Sequence, residues 1–385
     1  MDLGDDGVER ERREPEELSA LTKLDRSLLH VFVCGGGFGE AVVVALPSRG
    51  WLVVDGCTAR GPLGSKSVPL AVLQHFGPPE VADPLELVVL SHPHEDHAAG
   101  FAQLVDAHPP RRVMVTARAP EGPFLHDAMS ALLGGSVLAP TSERLVQGEV
   151  LAAIRAVRRL VDDGVEVVAG IEPTSLTLGE TQIDVRAPNP CAHLDGIFGD
   201  LASGRRERAN HASVVLELSW CDARIVLTGD LPTPQPTGLS CLLDRHGHLA
   251  DHDLLKLPHH GSGGAHEPRL MGPTTHTHRA WAVTPYSRSR LPRVEAVRHL
   301  LKREETVHLS APPAAWAELP SDPVAISDIR LRREAEPTGE PFADSADDVT
   351  PIGHGALEPV WAFALDAEGH VVGRWRGGAA RRIVA

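Results

Sequence analysis

Directly after the apolar run Leu87-Val88-Val89-Leu90 the chain reads Ser91-His92-Pro93-His94-Glu95-Asp96-His97. Three imidazoles and two carboxylates thus crowd one short stretch at the end of a strand. Imidazole nitrogen and carboxylate oxygen are the usual zinc ligands, and they also accept manganese or iron. His92 and His94, two apart in extended backbone, point the same way and can share one metal. Asp96 and His97 follow a tight turn and can reach a second ion beside the first. A lone His-x-His pair is commonly a solvated turn, whereas His-x-His-x-Asp-His behind a buried strand is a metal motif.

Further ligand types stand at the ends of later strands. Val214 to Leu218 and Ile225 to Thr228 read as strands flanking the turn Cys221-Asp222-Ala223-Arg224, and the second runs into Gly229-Asp230. Leu254-Leu255-Lys256-Leu257-Pro258 then leads into His259-His260-Gly261-Ser262. Each cluster sits just past the C-terminal end of a strand, where side chains from several strands can converge. A carboxylate at Asp230 could bridge two cations.

These residues resemble the metallo-β-lactamase-fold hydrolase superfamily, and within it the metallo-hydrolase domain of ComEC-type competence proteins. Val31 to Val43 resembles that group's opening strand, Gly-rich turn and second strand. Trp51 to Cys57 is similar to its next strand and Asp-Gly signature, which implies that Asp55 supports the metal ligands from behind. Asn210-His211-Ala212-Ser213 resembles the Asn-x-x-Ser element, Ile225 to Asp230 the "leu-thr-gly-asp" element, and Leu255 to Ser262 the "lys-val-pro-his-his-gly-ser" element. The likeness covers roughly residues 28–310. It implies an α/β (α+β) fold, a four-layer αββα sandwich over residues 28–311. A charged lead-in would precede it over 1–27, and an acidic linker with a small C-terminal β-hairpin extension would follow over 312–385.

One departure bears on the second metal. The group usually carries a later Asn-x-Tyr-Gly-His-Pro element whose His completes that site. The corresponding stretch here is Thr284-Pro285-Tyr286-Ser287-Arg288-Ser289-Arg290-Leu291-Pro292-Arg293, with no His before the Pro. His308, His259 or a water would have to fill the position, or the second site is weak.

Composition agrees with a cytoplasmic enzyme. A chain of 385 residues with 42% hydrophobic content can bury a large two-layer core plus an appendage. Aromatic residues are only 4%, so Ala, Val and Leu must fill most of that core. The five scattered cysteines contain no Cys-x-x-Cys pair, against a disulfide scaffold or a cysteine zinc knuckle. The highly charged start carries no signal-like apolar stretch, and no run approaches the ~18 apolar residues of a bilayer span. The membrane channel of a full ComEC protein therefore has no counterpart, and the expectation is a soluble, stand-alone hydrolase.

A net charge of −15 opposes non-specific binding to long nucleic acid, which depends on neutralising phosphates with Lys and Arg. A small-molecule or short nucleic-acid phosphodiester fits this balance better than bulk duplex. Arg288, Arg290 and Arg293 either hold phosphate, as guanidinium geometry allows, or are exposed loop charges. Arg205, Arg206 and Arg208 read as loop charges. No protein partner is indicated.

The elements that must position these groups are legible in outline. Strands and Gly/Pro turns alternate over 28–100, and a helix is expected from Ala98 to Val105. Leu151, Ile154, Val157, Leu160 and Val161 form a helical stripe whose arginines face solvent. Cys191 to Arg208 is an irregular loop that could cover the site. Val360 to Leu365 and His370 to Trp375 flank Asp366-Ala367-Glu368-Gly369 as a hairpin, expected as an add-on packed against the main domain.

The constellation assigns His92, His94 and His260 to one metal, Asp96 and His97 to a second, and Asp230 to a bridge. Two Zn²⁺ per chain are expected, with Mn²⁺ as the other fit. A metal lowers the pKa of bound water from 15.7 to about 7 and so makes a hydroxide nucleophile at neutral pH. Asp96 and His259 are the residues expected in catalysis, His259 at the leaving group or as a support for the ligands. His259 and His260 are not distinguished by sequence. Asn210, His211, Ser213, Lys256, Ser262, Arg288 and Arg290 are the supporting or substrate-contacting candidates. Phosphodiester hydrolysis leads, because acyl hydrolases of the fold usually place a "pro-gly-his" His where this chain has Asn-His-Ala-Ser. Acyl-bond hydrolysis (lactonase, thioesterase or β-lactamase type) and a degenerate, non-catalytic binding module are the alternatives.

Overall fold

A computed structural model describes residues 16–18, 21, 23–36, 39–48, 50–61, 64–77, 83–117, 141–191, 196–197, 209–234, 236–271, 279–286, 289–302, 306–312, 324–325 and 357–384. The strands that carry the site are almost wholly apolar. Leu29–Cys34 (β1), Ala41–Ala45 (β2) and Trp51–Val54 (β3) are buried at every position, as is most of Leu85–Leu90 (β4). Such runs arise where both faces of a sheet are covered. Alternation still divides them. Phe32, Val43, Val53 and Val88 pack with the helices Val68–Phe76 (α1) and Phe101–Ala107 (α2), whereas Val31, Val33, Val44, Leu52 and Val89 face a second sheet.

That second sheet is built from Thr181–Ala187 (β5), Val215–Trp220 (β6), Ala223–Leu227 (β7), Leu254–Lys256 (β8), Ala280–Val283 (β9) and Thr306–Leu309 (β10), hydrogen-bonded in this order. Its inner face sends Leu216, Leu218, Ile225 and Leu227 against the first sheet. Its outer face packs Val226, Leu255 and Trp281 under the helices Leu239–Arg245 (α3) and Val294–Leu301 (α4). Helix, sheet, sheet and helix form four layers, the αββα sandwich the sequence implied. β7, β8, β9 and β10 run parallel, as do β3 and β4, so their C-terminal ends gather at one edge.

The tail enters both sheets. Val360–Leu365 (β11) pairs with β1 over six residues, Val360 opposite Cys34 and Leu365 opposite Leu29, and Val371–Arg376 (β12) pairs with β11. Arg381–Val384 (β13) adds to β10 in the second sheet. Trp361 Nε1 donates to Leu309 O at 2.5 Å, tying one sheet to the other. The expected hairpin therefore forms, but its strands are members of the main sandwich, because β1 needs an apolar neighbour on its free edge.

The helix expected from Ala98 is split. Glu95–Ala98 makes one turn within the His-rich motif, and Phe101–Ala107 follows after Gly100. Gly100 has φ +71°, and a Cβ there would stand 2.8 Å from Thr58 Cγ2, so only glycine fits. The stripe at 151–161 lies in the helix Thr141–Asp162, with Ile154, Val157 and Leu160 buried and Arg155, Arg158 and Arg159 exposed. The Cys191 to Arg208 loop lies outside the described residues apart from Cys191 and residues 196–197, and so does most of the acidic stretch 312–352.

Candidate metal centre

Four of the buried strands end on one point. β4 delivers the His-rich turn, β3 delivers Asp55, β7 delivers Gly229-Asp230, and β8 delivers His259-His260. His92 and Asp96 are 1% exposed, Asp230 1%, and His97 and His260 0%, so this cluster of ionisable groups is out of water. A buried polar group without a partner is costly. Here His92 Nε2, His97 Nε2 and both Asp230 carboxylate oxygens are buried and make no hydrogen bond.

The hydrogen bonds behind the rings explain why those nitrogens are bare. His97 Nδ1 lies 2.8 Å from Asp55 Oδ2, an acceptor, so Nδ1 carries a proton and Nε2 is the nitrogen left to a metal. Asp55 itself accepts from the Ser91 amide and from Ser91 Oγ, each at 2.7 Å. With its own proton given to Asp55, Ser91 Oγ accepts from His92 Nδ1 at 3.1 Å. His92 Nε2 is then also a lone pair aimed inward. Asp55 holds φ +63°, a left-handed conformation that costs roughly 1–3 kcal/mol for a non-glycine residue. Asp55 thus holds the His97 ring and the Ser91 hydroxyl that meets His92.

His92 and His94 stack with ring centroids 5.8 Å apart and planes 12° apart. His94 turns Nδ1 to Asp96 Oδ1. On the other side, Asp96 Oδ2 lies 3.1 Å from His260 Nε2. Asp230 sits between, with Oδ1 3.3 Å from His97 Nε2 and Oδ2 3.8 Å from both His260 Nε2 and His259 Nε2. His260 therefore falls with Asp96 and His97, not with the His92–His94 pair expected from sequence. The cause is the backbone at the motif: His259 and His260 both adopt positive φ, 46° and 51°, which turns the second ring inward and leaves the first at the rim. Tyr286 stacks on the buried ring at 5.0 Å.

Charge follows the same division. Burial would raise Asp96 and Asp230, but the imidazoles around them, His97 foremost, hold both well below the usual carboxylate range. Burial would lower His97 and His260. Asp230 and Asp55 outweigh it for His97, Glu40 and Asp230 for His260, and both rings are raised. Burial pushes His92 well down and His259 down. With no metal present the pocket keeps its balance by holding protons, and a divalent cation would displace them. The donor set fits such an ion: several inward-facing imidazole nitrogens beside carboxylate oxygens.

The remaining expected residues surround this group. Ser213 Oγ lies 3.3 Å from His92 Nδ1 and accepts from the Asp230 amide at 3.3 Å. Asn210 Nδ2 and Ser262 Oγ each sit 3.3 Å from a nitrogen of His259. His211 Nδ1 pairs with Thr237 Oγ1 at 2.8 Å. Lys256 is buried on Glu40 and therefore cannot meet substrate. Arg290 is exposed, and Arg288 lies outside the described residues. His308, one substitute for the absent late His, is packed between Trp361 and Phe363 with Nδ1 on Trp281 O, so it does not reach the site.

Sequence reading gave Glu40 no role. Glu40, His97, Asp230 and His260 offer ligand atoms within 4.8 Å of one another. Glu40, however, meets His260 at Nδ1, 3.2 Å away, on the side of the ring turned from Asp230.

Comparisons with known proteins agree with this architecture. Residues 35–258 match the family model described as the metallo-beta-lactamase superfamily. No curated protein matches. Among solved structures the chain is similar to the metallo-beta-lactamase fold protein YhfI from Bacillus subtilis, with 19% identity, a TM-score of 0.31 and coverage of 59% of this chain and 69% of that one. It is similar to Igni18, a metallo hydrolase from Ignicoccus hospitalis, at 14% identity and TM-score 0.33, over 61% of this chain and 73% of that one. It is similar also to CmlA, a diiron beta-hydroxylase from Streptomyces venezuelae, at 15% identity and TM-score 0.32, covering 63% of this chain but 35% of that one. With more than half its length matched by the family model, the chain belongs to the metallo-beta-lactamase superfamily.

Proposed function

We propose that this metal-dependent hydrolase acts on a phosphodiester in a short nucleic acid or small nucleotide. The observation that carries the reading is the Asn210-His211-Ala212-Ser213 turn. Thr237 holds His211 Nδ1 and His259 holds Asn210, and the ring contacts of His92 among the described residues are with His94 and His97. On this reading that side of the centre is left to the oxygens of a phosphodiester. The resemblance to ComEC-type hydrolase domains supports the same substrate class, and the acidic net charge favours a short substrate over bulk duplex.

His92 and His94 would hold one ion, Asp96, His97 and His260 the other, with Asp230 between them. Zn²⁺ suits these nitrogens and oxygens, and Mn²⁺ is the other fit. Bound ions lower the pKa of water and polarise the scissile group. On this assignment His260 supplies the ligand that the absent late His would have given. His259 lies at the rim, where Nε2 accepts from Asn210 Nδ2, and on this reading it supports the ligands and does not give a proton from that nitrogen.

The test is metal content together with hydrolysis of bis-p-nitrophenyl phosphate in Zn²⁺ or Mn²⁺. The wild type is expected to bind metal and turn over, and the Asp96→Ala/His97→Ala variant to lose both. Bound metal without phosphodiester turnover would transfer the assignment to acyl substrates. Absence of bound metal would leave a binding module.

A further inference from the structure

Beneath the centre lies a second buried carboxylate, with its own cation. Glu40 is 3% exposed and Lys256 1%, and Lys256 Nζ contacts Glu40 Oε1 directly while donating to Gly229 O at 3.2 Å. The other carboxylate oxygen, Oε2, accepts from Thr284 Oγ1 at 2.6 Å and lies 3.2 Å from His260 Nδ1. Gly39 makes this approach feasible: its φ is +88°, and a Cβ there would stand 3.0 Å from Asp96 O, the atom that accepts from the Glu40 amide at 2.7 Å.

Every group around His260 Nδ1 is an acceptor. Thr284 O lies at 3.2 Å, and Thr284 Oγ1 at 3.1 Å has already given its proton to Glu40. The third is Glu40 itself. Nδ1 must then carry hydrogen, so Nε2, which lies 3.1 Å from Asp96 Oδ2, is the nitrogen left to a metal once its own proton is displaced. We infer that Glu40 is the positioning residue of His260, fixing the tautomer that can ligate metal, and that Lys256 orients Glu40 for this task. Glu40 is thereby the counterpart of Asp55 behind His97 and is not itself a metal ligand. Carboxylates placed in this way behind ligating histidines typically change metal affinity by roughly 10–100-fold.

This inference rests on the metal reading above, and the experiment separates the two. In Glu40→Gln, Lys256 claims the amide oxygen and the NH₂ turns toward Nδ1, which favours the wrong tautomer. In Glu40→Gln/Lys256→Met the amide is free to rotate its oxygen back to Nδ1, and no uncompensated lysine remains in the core. Zn²⁺ is titrated into the metal-free full chain against a chromogenic chelator, with ring ¹H–¹⁵N spectra of ¹⁵N-histidine-labelled protein. The expected result is the wild-type number of zinc equivalents in both variants, with one bound roughly 10–100-fold more weakly in Glu40→Gln. The His260 Nδ1–H signal is expected to be lost there, and the double variant to recover part of both. If the single variant fails to fold, the double variant alone decides, by affinity between wild type and the full loss. Loss of a whole zinc equivalent would make Glu40 a ligand and overturn the inference, as would wild-type affinity and an unchanged ring signal in both variants. Failure of the wild type itself to bind zinc would instead remove the metal reading.

Discussion

Two buried imidazoles, His97 and His260, each have a carboxylate at Nδ1, yet the two carboxylates are held differently. Asp55 is held by neutral donors, the amide and hydroxyl of Ser91, and comes from the strand beside the His-rich turn. Glu40 is held by a charge, Lys256, which arrives from the opposite sheet. A third buried imidazole, His308, has the carbonyl of Trp281 at Nδ1 and no carboxylate there among the described residues. Burial, with Arg374 next, pushes His308 down to about 3, while the carboxylate-backed pair is raised. Equal burial therefore gives opposite proton affinities, and the nearby carboxylates decide which.

Several measurements would break or sharpen this contrast. The largest effect belongs to the rings: His97→Ala and His260→Ala are each expected to release one zinc equivalent, read by elemental analysis. If only one of them does, the two sides are not equivalent. Next is Lys256→Met, which strands a buried carboxylate and is expected to cost about 3–5 kcal/mol in urea unfolding. The Asp55 side has no cation to lose. Asp55→Asn is expected to weaken zinc binding roughly 10–100-fold, with a smaller stability loss than Lys256→Met. The smallest effect lies at the imidazole without a carboxylate. The folded pKa of His308 is below the ordinary 6.5, so its contribution is complete above pH 6.5 and is lost as pH falls toward 3. Below pH 6.5 the wild type should lose up to about 1.4 kcal/mol per pH unit relative to His308→Leu, measured by urea midpoints at each pH.

The contrast also marks what the sequence makes legible. The His92–His97 turn declares itself because its donors are contiguous and follow an apolar strand. Asp230 and the His259-His260 pair are also legible, since each ends an apolar run. The side on which His260 falls is not legible, because it depends on left-handed backbone at two adjacent histidines. Glu40 is one acidic residue between Gly39 and the apolar Ala41–Ala45, and its site partners lie far along the chain. One signal does point to it: Lys256 interrupts an otherwise apolar strand, and a fully buried lysine implies a buried counter-charge. The tail strands read as a hairpin, but pairing with β1 is a long-range choice that local pattern does not encode.

That pairing has a consequence for synthesis. β1 is made early, and its antiparallel neighbour, Val360–Leu365, leaves the ribosome only after nearly the whole catalytic domain. Until then β1 presents an unpaired, largely apolar edge, the kind of template that recruits other chains. The last strand of the second sheet is also late, since Arg381–Val384 completes β10. Neither sheet can close in the order it is translated. A ribosome paused after the parallel strands would hold a nascent chain with its ligand turns already present and its sticky edge uncovered.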